Sequence, residues 1–320
     1  MILIMFKNKI STSMGIIKRI FKTEDSRFMI IVGLKVSGIS LGISLIVYWF
    51  LFQIMRLNYA FFKTHGFPIF VEGNPFFDHV VKEAMENIPV LFIFHIFLFF
   101  IGVYIGWLIL RPFRSIGEYC ENVIEDPNSI YRVDVFSTYS LLTRFSEFFF
   151  EYLRESRKKR TIAPNSIPPQ YFKIHKPVFD RVFMLHFSFL LIIICICSAV
   201  FIIENSSSIF TSMVELATQT LSDQHKISLY FSEQTFILDE IVNLTISLIL
   251  ICYIFLGLHL YSKVSGAAFG IFSTMRSYMK GNLSSRVHLV GFSYVREYTR
   301  KLNKYLDFIQ NNISEDRPKK

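Results

Sequence analysis

Few residues in this chain are placed for chemistry. Metal binding or nucleophilic catalysis needs His, Cys or acids at ligand spacing, or a nucleophile beside a base. The chain has eight histidines and four cysteines, and none of them meets that need. Cys195 and Cys197 are two positions apart, which turns them to different sides of a helix. Cys252 lies in another apolar run, and Cys120 lies in a polar segment. There is no glycine-rich phosphate loop and no nucleophile–base arrangement. The sequence therefore predicts no enzyme, no metal site and no cofactor. The polar candidates that remain are three histidines in long apolar runs: His95, His186 and His259. Ionisable groups in such runs are functional candidates by default. His186 and His259 sit near matching ends of two runs, so a facing, pH-sensitive pair is one reading. Hydrogen bonding between helices is the simpler one. Asn243, Thr245 and Ser247 read as helix–helix contacts of the same kind.

The runs themselves decide the fold class. The chain of 320 residues is 52% hydrophobic and only 18% charged. Val36–Met55, Ile88–Leu110, Val182–Ile203 and Ile241–Leu260 are each long enough to cross about 30 Å of hydrocarbon as a helix. The prediction is an all-α integral membrane protein with four transmembrane helices. The first run starts too far in, and is too long, for a cleaved signal peptide. Lys and Arg number six in 1–27, twelve in 111–181 and eleven in 261–320, against three in 56–87 and one in 204–240. Positive segments stay inside. Both termini and the central segment are thus expected to be cytoplasmic, with loops 56–87 and 204–240 outside. The net charge of +9 follows from this topology and suits an anionic lipid surface, so nucleic acid is not an expected partner. No cysteine falls in an outside loop, which argues against a disulfide framework.

A shift of about 154 residues superposes the two halves. The first run falls on the third, the second on the fourth, and Arg132-Val133 on Arg286-Val287. The predicted order is a basic leader 1–35, a transmembrane hairpin 36–110, a tail 111–155 and a basic proline-rich linker 156–181. A second hairpin 182–262, a tail 263–313 and a polar end 314–320 follow. The leader's apolar spacing suits either a helix on the membrane surface or a solvated leader that fixes orientation. Aromatics in 56–87 suit the membrane interface. Loop 204–240 has Phe210, Met213, Ala217 and Leu221 at helical spacing and reads as extensions of its flanking helices. Pro164, Pro168, Pro169 and Pro177 forbid a continuous helix and suggest a linker that decouples the halves. Gly38 and Gly42 share a face that would admit close helix approach.

Each tail is a helix, a connector and a second helix. In the first, Ile116, Cys120 and Val123 precede a stop at Asp126-Pro127, and Leu141, Phe145, Phe148 and Tyr152 follow. In the second, Ile271, Met275 and Tyr278 precede a stop at Gly281. Val295, Tyr298, Leu302, Tyr305 and Ile309 then run at alternating spacings of three and four, as an a/d seam does. The stretch from Gly281 through Leu283, Arg286 and Val287, with Asn303 on the second helix, resembles the connector of the HAMP linker domain in bacterial membrane receptors. The resemblance covers 263–313 and, more loosely, 111–155, where Pro112 is kept but the connector glycine is not. Ala267 stands where the family has proline, and Ser293-Tyr294 where it has an acidic pair.

The resemblance implies a chemoreceptor-like or sensor-like inner-membrane protein without an output domain. It also implies parallel four-helix packing, formed by a homodimer or by the two tails of one chain, and signal transduction to a separately encoded partner. With the sequence ending at Lys320, no kinase or cyclase is expected after the second tail. A non-enzymatic assembly subunit and a transporter component are the alternatives.

Overall fold

A computed structural model describes residues 23–64, 78, 81–82, 85–131, 140–171, 180–220 and 224–315. The predicted surface helix in the leader and most of loop 56–87 lie outside these residues. All regular structure among them is helical. The long helices are α1 (Glu24–Thr64), α2 (Ile88–Glu125), α3 (Ser140–Lys158), α4 (Arg181–Thr220), α5 (Gln224–Met279) and α6 (Arg296–Glu315). Of these, α1, α2, α4 and α5 are long and apolar enough to cross a membrane, which is the architecture of a multi-pass membrane protein. Leu45, Trp49, Phe92, Ile93, Phe100, Phe189 and Phe255 stand exposed along them. Water would penalise such faces, whereas a bilayer covers them. Helices α4 and α5 continue through most of 204–240, as the Phe210–Leu221 spacing suggests.

Two compact units divide the chain. The span unit comprises 33–102 and 189–257. Aromatic stacking and a few buried polar bonds hold it. Phe94 stacks on Phe201 with ring centroids 3.9 Å apart. The Tyr253 hydroxyl donates to the Val36 carbonyl at 3.0 Å, and Ser37 donates to the His95 carbonyl at 2.9 Å. Asn58, fully buried, exchanges amide hydrogen bonds with Gln234 at 2.9 and 2.5 Å and accepts one from Tyr230 at 2.9 Å. Mutual satisfaction is what allows an amide to be buried there. Among the described residues nothing lies within 4 Å of the Cβ that Gly38 or Gly42 would carry, so neither mediates close approach within the span unit. Their face of α1 is turned away from the rest of the unit.

The bundle unit comprises 1–32, 103–188 and 258–320. Its core is the second half of α2, all of α3, the end of α5 and α6. Phe145 meets Phe272 at 4.0 Å, and further along Phe149 meets Tyr278 at 6.2 Å. Helices α3 and α5 therefore run in the same direction. So do α2 and α6, where Gly117 backs onto Tyr298 and Glu121 pairs with Lys301 at 2.8 Å. Tyr119, Phe150 and Tyr305 close the centre with centroid separations of 4.4 to 6.2 Å. The four helices of the two tails thus pack together within one chain. In α3 the buried line is Leu142, Phe145, Phe149 and Leu153, whereas Leu141 and Phe148 are only half-buried. The run Phe148-Phe149-Phe150 is apolar on every side and so conceals the phase.

The described stretch of the proline linker, 159–171, is docked onto the bundle, and Pro177 lies outside the described residues. Tyr152 donates to the Ala163 carbonyl at 2.9 Å, Asn165 N–H donates to the Met279 carbonyl at 2.9 Å, and Tyr171 packs on Phe145 and Phe272. Proline prevents helix here, but its neighbours still offer donors to orphaned helix-end carbonyls.

A side chain at Gly117 would meet Tyr298 Cδ1 at 2.9 Å and its Cα at 3.1 Å. Gly117→Val should therefore lower stability by about 1–3 kcal/mol through overpacking, read as a fall in the thermal midpoint of the full-length protein in detergent. Gly38→Ala and Gly42→Ala, which point into open space, should leave that midpoint almost unchanged.

Candidate functional site

The site is the connector that joins α5 to α6. Helix α5 ends because Gly281 takes φ +98°, a conformation that costs little only without a Cβ. The Asn282 N–H reaches the Ser277 carbonyl at 3.1 Å and the Gly281 N–H reaches Tyr278 at 3.0 Å. These two bonds form a Schellman cap that satisfies the last carbonyls. The chain then runs back alongside the helices. Val287 is buried and its backbone is clasped by Asn303 of α6. The Val287 N–H donates to Asn303 Oδ1 at 2.8 Å, and Asn303 Nδ2 donates to the Val287 carbonyl at 3.1 Å. Asparagine fits because its amide offers one acceptor and one donor side by side, which is what a single residue of extended backbone presents.

Arg286 fixes the preceding turn. Its guanidinium donates to Asp307 at 2.6 and 2.9 Å, to Gln310 at 2.9 Å, and to the Leu283 and Ser285 carbonyls at 2.8 Å. Leu283 is half-buried beneath it. Toward the other end of the connector, Leu289 fills the place of a side chain on Gly270, and Phe292 lies 2.7 Å from where a Cβ of Gly266 would be. Tyr294 stacks on Phe28 at 4.3 Å and donates to the Lys263 carbonyl at 3.1 Å. Tyr294 thus anchors the start of the second helix without an acidic pair at 293–294. The seam residues Ile271, Met275, Tyr278, Val295, Tyr298, Leu302 and Tyr305 are all buried. In the first tail, Arg157 of α3 donates to the Pro127 carbonyl just after α2, and Arg132-Val133 lie outside the described residues.

An acid also reaches this region from α1. Asp25, which precedes the apolar run Val36–Met55, accepts from Tyr298 at 2.9 Å and from Arg114 at 3.1 Å. Burial pushes its carboxyl up, but hydrogen bonds from Thr23, Tyr298, Ser26 and Arg114 outweigh this and leave it below the ordinary value of 3.8. Burial pushes the Tyr298 phenol up to about 12, so it remains a donor. The Asp25 contact is accordingly complete above about pH 4 and is lost as pH falls through the lowered carboxyl value. Sequence reading missed Asp25, Asp180 and Asp307. Asp180 had a usable signal, since Asp before an apolar run marks a helix start. Asp25 carried the same helix-start signal and Asp307 had none, and the long-range partners of all three are distant in the chain.

His186 donates from Nδ1 to the Val182 carbonyl of its own helix at 3.0 Å, and both it and His259 are exposed. His95 is buried and donates from Nδ1 to the Leu91 carbonyl at 2.7 Å, which leaves Nε2 bare and without a hydrogen-bond partner. Among the described residues no group of three His, Cys, Asp or Glu is placed to hold a metal. A cavity of about 320 Å³ in the span unit is lined by hydrocarbon from Leu51, Met55, Ile88, Phe210 and Met213 and offers little for chemistry. A groove of about 610 Å³ beside α6 is lined by five acids, Glu24, Asp25, Glu121, Glu125 and Glu297, and by four bases, Arg296, Arg300, Lys301 and Lys304, so neither sign of ligand is favoured. The geometry holds the connector against the helices that it joins. Comparison with protein-family models, with curated proteins and with solved structures returned no match.

Replacing Asn303 by Leu should strand the Val287 N–H and carbonyl and cost about 2–3 kcal/mol. Amide hydrogen exchange at Val287 should then rise by an order of magnitude or more, and unchanged protection there would refute the clasp. Gly281→Ala should cost about 1 kcal/mol through its φ.

Proposed function

We propose that this chain is a transmembrane signal relay of the bacterial inner membrane. Both termini lie in the cytoplasm, and a HAMP-like bundle passes helix movement to a separately encoded partner. The observation that carries this reading is the parallel packing of α2 with α6 and of α3 with α5 around a clasped connector. Helices joined by short loops pack antiparallel. A parallel arrangement needs a connector that retraces the helix, and it leaves the first helix of each tail continuous with a span. Helix α5 includes both the apolar run Ile241–Leu260 and the seam residues Ile271, Met275 and Tyr278. A rotation or shift of that span thus reaches the seam without passing through a loop. With both tails in one chain, the bundle does not require a second copy. Bundles of this kind switch when two packings differ by a few kcal/mol.

A second reading is a static assembly subunit, whose bundle only presents a surface to its partners. The docked linker at Pro164 and Asn165 favours it, because stitching across helix ends opposes movement. A transporter role draws no support from His186, whose ring is engaged by its own helix.

Spin labels at the exposed Arg144 and Lys304 separate relay from scaffold. In nanodiscs of contrasting hydrocarbon thickness, the spans must tilt to match the bilayer. A relay should then show a second distance population displaced by roughly 1–2 Å or more. One unchanged population in all bilayers would favour the scaffold.

A further inference from the structure

Two aspartates lie at matching places in the repeat and do matching things. Asp25 sits at the entry of α1 and Asp180 just ahead of α4, and the offset of about 154 residues brings them within one position of each other. Asp25 Oδ1 accepts from the neighbouring Ser26 N–H at 2.8 Å, while its Oδ2 accepts from Tyr298 on α6 at 2.9 Å and Arg114 on α2 at 3.1 Å. Asp180 Oδ1 caps its own helix through the Val182 and Phe183 N–H groups at 3.0 and 3.1 Å. Its Oδ2 accepts the Leu141 N–H at 2.6 Å, in the first turn of α3. One oxygen of each carboxylate thus serves local backbone, and the other grips the start of a second bundle helix.

The grip is crossed. Asp25 belongs to the first repeat and holds α6 of the second, whereas Asp180 belongs to the second repeat and holds α3 of the first. Other contacts reinforce the first grip. Phe28 stacks on Tyr294 at 4.3 Å, Glu24 pairs with Arg296 at 3.5 Å, and Met29 Cα lies 2.8 Å from where Gly106 would carry a Cβ.

We propose that Asp25 and Asp180 are a pair of crossed latches, through which α1 and α4 act directly on α6 and α3. This route is separate from the continuity of α2 and α5 with the first helix of each tail. It stands on these bonds alone and does not depend on the bundle carrying a signal. It gives each second helix a handle on a long apolar helix, which the connectors alone do not provide.

Asparagine is the informative substitution. It keeps one carbonyl oxygen for the local bond and puts a donor where the second acceptor stood. The experiment is amide hydrogen exchange on the full-length protein in lipid nanodiscs. Asp25→Asn should speed exchange at 296–302 roughly threefold to tenfold, as loss of a partly exposed charged hydrogen bond does, and leave 141–146 unchanged. Asp180→Asn should do the reverse. Tyr298→Phe leaves both acids intact and should reproduce part of the Asp25→Asn effect. Equal loosening of both segments, or changes confined to the first turns of α1 and α4, would overturn the latches. If Asp25→Asn does not fold, unchanged exchange at 296–302 in Tyr298→Phe would do so.

Discussion

The bundle depends on a backbone clasp. Two helices adjacent in sequence can run parallel only if the chain between them travels the length of a helix and is held there. A connector lying along a bundle has backbone groups that need partners wherever water is excluded. At Val287 one side chain, Asn303, supplies both. Arg286 holds the turn before it, and the glycines at 266 and 270 make room for Phe292 and Leu289 after it. With the connector pinned, α6 lies parallel to α2 and places Tyr305 against Tyr119 and Phe150. Removing the clasp would free α6 to slide, and the seam would lose its register.

The aromatic character of the core bears on how the bundle could move. Phenylalanine and tyrosine rings pack well in offset, tilted and edge-on arrangements of similar energy. The contacts at Phe145–Phe272, Phe149–Tyr278 and Tyr119–Tyr305 include tilted and edge-on geometries. Such a core tolerates small rotations better than interlocked branched chains do, which is what the proposed relay needs. The docked proline linker acts against that freedom. It joins the end of α5 to the Pro164 segment and so sets a mechanical load that any movement must overcome.

Much of the fold was legible because it rests on local pattern. The four long apolar helices follow from length and polarity, and the α6 seam from its alternating spacings, since these positions bury as a single stripe. The stop at Gly281 was legible because its backbone angle favours glycine. The phase of α3 was not, because three consecutive phenylalanines make every face apolar. Gly38 and Gly42 invited a helix contact that the span unit places elsewhere, since small residues permit approach without compelling it. The docking of the linker and the reach of Asp25 and Asp180 depend on hydrogen bonds between distant parts of the chain. Neither periodicity nor charge counting reports those. The connector lay between the two: the family resemblance pointed to Asn303, but only the folded chain shows that the amide serves both groups of Val287.

In the structure the two tails of one chain build one parallel bundle. Cysteines at Phe145 and Phe272, whose rings are 4.0 Å apart, test it in native membranes of cells that co-express differently tagged copies, in a background lacking the four natural cysteines. Mild oxidation should close a disulfide within a single chain, seen as altered mobility at monomer size and no mixed-tag product. A mixed-tag dimer as the main product would contradict the account, because it would mean that the bundle is completed by a second copy.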